Sequence, residues 1–134
     1  MKNEENQNQL SHLFDNQEKY DCLNNLLKQI KENDKVIIGI DEEEIYDNLK
    51  DISNIEIKTY KGTFNEISEE LKLNNVYTKI VLFIRSNANT NLEDVYKICS
   101  LFDKDNTNID LLFSVGFNET ISDFVFEIFS LLGK

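Results

Sequence analysis

The chain has 134 residues, enough for one domain to bury a core without disulfides or a metal. Hydrophobic residues make up 40% and charged residues 29%, a globular balance, while 25 acidic against 14 basic side chains leave a formal charge of −11. That charge repels phosphate backbones, so general nucleic-acid or anionic-membrane binding is excluded. No apolar run is long enough to span a bilayer and Met1–Gln7 lacks the apolar core of a signal peptide, so the expected location is cytoplasmic.

Residues 1–15 read as a polar N-terminal tail, with Leu10, Leu13 and Phe14 as a small apolar cluster towards its end. Asp15 and Glu18 have capping-box spacing, which predicts a helix from near Asn16. Its apolar positions are Tyr20, Leu23, Leu26, Leu27 and Ile30, and Asn33-Asp34 stops it. Lys35–Ile40 reads as a short strand, buried on both faces or central in its sheet. Asp41-Glu42-Glu43-Glu44 resembles a metal site at first sight. Asp41 with Glu44 is instead a second capping box, and the acids between them suit the positive end of a helix that turns Ile45, Tyr46 and Leu49 inward.

Ile55–Tyr60 alternates as an exposed or edge strand, and Phe64, Ile67 and Leu71 mark a short helix up to Asn74-Asn75. Thr78–Ile84 is the clearest strand, running into a polar loop at Arg85–Thr90. Asn91 or Thr90 then caps a helix with Leu92, Val95, Ile98, Cys99 and Phe102 on its apolar face, followed by a charged loop at Asp103–Thr107. Ile109–Phe117 and Phe124–Leu132, joined by the polar stretch Asn118–Asp123, read as an antiparallel hairpin. The expected fold class is α+β: a two-layer α/β sandwich over residues 16–134, with a mixed sheet of four to five strands ending in that hairpin. A doubly wound receiver- or flavodoxin-like domain is the alternative.

Few residues carry chemistry. Cys22 and Cys99 fall on apolar helix faces and read as buried free thiols, and with one histidine, His12, in a polar stretch they supply no metal-spaced cluster. No nucleophile motif surrounds any Ser or Cys, so no catalytic residue is assigned and the chain is not expected to be an enzyme. Gly39, Gly62, Gly116 and Gly133 are widely separated, so no phosphate-cradling loop can be written, and no cofactor is expected. Arg85, the one arginine, could grip a carboxylate or phosphate, with a surface salt bridge as the simpler account. Phe124, Phe126 and Phe129 make both faces of the last strand apolar, so it is either sandwiched or covered by a partner. These four are the candidate interaction residues.

In order and spacing these pieces resemble the C-terminal domain of the tubulin/FtsZ family. Val36-Ile37-Ile38-Gly39-Ile40 is similar to its "A-L-M-G-I-G" strand, Lys79–Ile84 to its "G-V-L-V-N-I" strand, Asn91–Val95 to "T-L-E-E-V", and Ile109–Gly116 to "N-I-I-F-G". The family's acidic loop falls at Tyr20-Asp21-Cys22-Leu23-Asn24-Asn25, where Asn25 stands in place of the last Asp. An amide cannot act as a general base on water. The resemblance implies a stand-alone domain that binds no GTP by itself, does not stimulate a partner's GTPase through that loop, and serves protein interaction in cell division or the cytoskeleton. A protein partner or homo-oligomer is the implied company.

Overall fold

The computed structural model describes residues 9–71, 77–103 and 108–134. The polar start of the tail, the Asn74-Asn75 stop and most of the Asp103–Thr107 loop lie outside them. After a helical turn at residues 9–11 come α1 (Gln17–Asn33), β1 (Lys35–Ile38), α2 (Glu42–Leu49), β2 (Ile55–Gly62) and α3 (Phe64–Glu70). They are followed by β3 (Lys79–Ser86), α4 (Leu92–Asp103), β4 (Asp110–Phe117) and β5 (Phe126–Gly133).

Short polar side chains start the helices. Asn16, one residue later than the capping-box spacing suggested, accepts from the Lys19 N–H at 2.9 Å, and Asp41 accepts from Glu44 N–H at 2.7 Å. Thr63 and Glu66 form a full capping box on α3, and Asn91 accepts from Asp94 N–H at 2.9 Å at the start of α4. Each such cap stabilises its helix by about 1 kcal/mol. Asp41 is thereby accounted for as a helix start.

The fold is an α+β sandwich on a mixed five-stranded sheet, ordered β1-β4-β3-β5-β2. Among the described strands only β3 and β4 run parallel and the other pairings are antiparallel, so the doubly wound parallel sheet of a receiver- or flavodoxin-like domain is not formed. The terminal hairpin is corrected. Val81 of β3 is the register partner of Leu112 on β4 and of Leu131 on β5, so β3 lies between the last two strands. Residues 118–125 carry the chain over the end of β3. The reason is apolarity at both parities: Ile80 to Ile84 are all buried, and a hairpin of β4 with β5 would leave them at an edge.

That same double apolarity puts helices on both faces, where a two-layer arrangement was expected. Ile80, Leu82 and Ile84, with Phe126, Ile128 and Leu132, pack under Ile67 of α3 and Val95, Ile98 and Phe102 of α4. Val81 and Phe83, with Leu131 and Ile55, pack under Leu23 of α1 and Ile45 and Leu49 of α2. Burying each Leu or Ile contributes about 1.5–3 kcal/mol. Leu10 seals the α1–α2 face, so part of the expected tail belongs to the packed domain.

Two further expectations change. β1 is an edge strand with Lys35, Val36 and Ile37 exposed, rather than a buried central one, because among the described strands it pairs with β4 alone. Cys22 is exposed on α1, while Cys99 is buried and desolvation pushes its thiol up to about 12, which leaves it unreactive. β2, anticipated as an edge, is the opposite edge of the sheet.

Candidate interaction site

The C-terminal end of β3 organises a row of charges across the sheet. Arg85 has the parity of Val81 and Phe83, so it lies on the α1 side, opposite Gly116 of β4 and Glu127 of β5. Glu127 in turn faces Lys61 of β2. Arg85 Nε and Nη2 donate to Asp34 Oδ2 and Oδ1 at 2.7 and 2.8 Å, a bidentate pair, and Asn118 Nδ2 donates to the same Oδ1 at 2.9 Å. Glu127 is 4.0 Å from Arg85 Nη1 and 4.0 Å from Lys61 Nζ, so the signs alternate along the row.

Asp34 ends α1 and is the last residue before β1, and its side chain has 0% exposure against 12% for Arg85. Those hydrogen bonds raise the Arg85 pKa, opposed by desolvation and helped by the Asp34 and Glu127 charges. Gly116 makes the arrangement possible. A Cβ at that position would sit 2.8 Å from Asp34 Oδ2, so the carboxylate rests on the sheet where a side chain would stand. Arg85 thus grips a carboxylate, and the carboxylate is the chain's own.

The candidate phenylalanines separate. Phe126 is in the core beneath α3 and α4. Phe129 is half-buried on the other face, edge-on to Phe83 with ring centroids 6.1 Å apart. Phe124 precedes β5 and so does not share its alternation. It is 78% exposed and has φ 66°, the left-handed region that a bulky side chain rarely adopts.

Its loop is braced on both sides. Asn87 Nδ2 donates to the Ile121 carbonyl at 3.2 Å and to the Asp123 carboxylate, and Asn89 Nδ2 donates to Asp123 Oδ1 at 3.1 Å. Asn118 Oδ1 accepts from the Thr120 N–H and hydroxyl at 2.9 and 2.6 Å, and Ile121 is buried as an anchor. Beside Phe124 opens a cleft of about 490 Å³ lined by Phe64, Asn65, Asn89, Thr90, Asn91 and Asp94, among others. The amide-rich Asn87–Asn91 run was the one sequence signal for this brace. Asp34, Gly116, Glu127 and Lys61 had none, being separated along the chain by tens of residues.

At the far end of the sheet, Tyr77 donates its phenol to Glu56 Oε2 at 2.5 Å, and Lys134 Nζ lies 3.1 Å from Glu56 Oε1. Burial and then the Glu56 contact push the Tyr77 phenol up to about 12, while the Tyr77 and Lys134 hydrogen bonds hold Glu56 below its ordinary value. This knot joins β2 to the segment before β3. Among the described residues no group of three or more His, Cys, Asp or Glu side chains is placed to hold a metal ion, and no helix is long and apolar enough to cross a membrane. Compared with protein-family models and with curated proteins, the chain matches none.

Proposed function

We propose that the chain is a non-catalytic protein-interaction domain of the tubulin/FtsZ C-terminal kind, acting in the cytoplasm on a polymerising GTPase of that class and engaging it through Phe124. The observation that carries the reading is a large aromatic held out in solvent at 78% exposure, on a left-handed backbone, by a loop cross-braced through Asn87, Asn89 and Asp123. Such a backbone costs on the order of 1–3 kcal/mol, and strain of this kind collects where a side chain must be presented. Burying an aromatic anchor in a partner's pocket contributes binding energy without loop ordering, because the loop is already fixed. Asp94 and Asp123 beside it favour a socket rimmed by Lys or Arg. The widely spaced glycines and the internally engaged Arg85 support a role without phosphate chemistry.

Co-sedimentation with filaments of such a GTPase tests this. The wild-type chain is expected to pellet with them, and Phe124→Gly to bind roughly thirtyfold more weakly, the effect of losing about 2 kcal/mol at a hot spot. Glycine is at home at φ 66°, so the variant keeps its fold, as circular dichroism would verify. A wild-type chain that stays in the supernatant, or a variant that pellets equally well, sinks the reading.

A further inference from the structure

We infer that the β1 edge is a self-association surface, at which two copies pair their β1 strands antiparallel about a twofold axis and join two sheets into one. This goes beyond the Phe124 reading and does not rest on it.

Three observations converge on a second copy as the occupant. First, among the described residues β1 has no neighbour on its outer side, and its apolar side chains are open: Val36 is 47% and Ile37 39% exposed. Each borders a hollow. Ile37 lines a cleft of about 840 Å³ with Phe117 and Ala88, and Val36 lines a cleft of about 60 Å³ with Leu27 and Ile30. A strand added at this edge would have hollows beside it to receive its side chains.

Second, the strand is held in place although little of it is buried. Asp34, immediately before it, is locked by Arg85 and Asn118 over Gly116. A pre-positioned edge loses less freedom on pairing than a frayed one.

Third, the charge pattern is self-complementary. Lys35 opens the apolar run, and Asp41 with Glu42, Glu43 and Glu44 closes it. An antiparallel copy sets each Lys35 towards the end of the other copy's strand after which its acidic run begins, while a parallel copy would set like against like. A twofold contact of this sort is isologous and closes at two, which fits a domain whose opposite edge, β2, carries Lys58 and Lys61. The four residues of β1 and its irregular register between Val36 and Ile38 keep the contact small, so the dimer is a weak, concentration-dependent one.

Sedimentation velocity from dilute solution up to about 1 mM protein is the experiment, with the chain unmodified and in three variant forms. The wild type is expected to move from monomer to dimer as concentration rises. Ile37→Lys should stay monomeric. Lys35→Glu alone and Glu43→Lys alone should each stay monomeric, because each places like charges at both ends of the pair. An equimolar mixture of those two should dimerise again, since both ends then meet opposite charges. Lys35 and Glu43 are exposed, so these variants keep their fold even if Ile37→Lys does not. A wild type that remains monomeric throughout overturns the inference. So does a dimer that survives Lys35→Glu, or a mixture that fails to recover it.

Discussion

At one edge of the sheet, β2 offers Lys58 and Lys61 on eight residues; at the other, β1 offers Val36 and Ile37 on four. β2 is tied in by backbone, in unbroken register with β5 from Ile55↔Gly133 to Gly62↔Phe126, and its lysines resist a further strand because pairing would strip their water. β1 is tied in by side chains, through the buried Asp34–Arg85 pair at its start, with an interrupted register to β4. An edge can thus be fixed by its ladder or by an electrostatic latch. The latch leaves apolar side chains free where the ladder is shielded by charge.

The largest expected effect breaks the latch. Asp34→Ala strands Arg85 with 12% exposure and no bidentate partner, a loss of about 3–5 kcal/mol in urea unfolding, as for other broken buried pairs. Amide exchange at residues 35–38 should quicken more than at residues 55–62. A loss below about 1 kcal/mol would mean that β1 is held by its backbone after all.

A smaller effect tests the opposite edge through pH. Hydrogen bonds from Tyr77 and Lys134 hold Glu56 below its ordinary 4.5, so its contribution is complete above that value and is lost as pH falls through the lower folded value. Thermal midpoints measured against pH should therefore lose part of their acid-side fall in Glu56→Gln. Superimposable profiles for the two proteins would remove Glu56 as a tie of β2.

The smallest effect on stability, within about 0.5 kcal/mol, is expected for Lys58→Ile with Lys61→Val, since both lysines are exposed. Their effect on assembly should be large. With both edges open, light scattering should report chains of copies rather than a species that closes at two, and an unchanged size distribution would show that the lysines do not guard β2.

Much of the element order was legible because it is written locally. Leu23, Leu26, Leu27 and Ile30 recur at helical spacing, Asp41 and Asn91 sit where caps belong, and Ile80–Ile84 is apolar without interruption. Strand order was not, because it is a long-range property: nothing near Asn118–Asp123 shows that β3 takes the place between β4 and β5. Val36-Ile37-Ile38 read as interior because composition cannot separate a buried run from an open edge. At the interaction site Phe124 was named for the face of a strand it does not belong to, and the loop that carries its unusual backbone angle is held by long-range contacts of Asp123 to Asn87 and Asn89. The charge row was invisible for the same reason as the strand order, since Asp34, Lys61, Arg85 and Glu127 meet only once the sheet exists.

The position of β5 between β3 and β2 also has a kinetic meaning. Among the described strands β2 pairs with β5 alone, and that partner follows more than sixty residues later, Gly62 meeting Phe126 and Ile55 meeting Gly133. The loop closure that brings them together precedes any hydrogen bond that rewards it, which places the step among the slow, non-local events of folding. Until β5 inserts, β3 has one neighbour at most and β2 none, so the transient danger of mispairing lies with the strand that the finished molecule protects best.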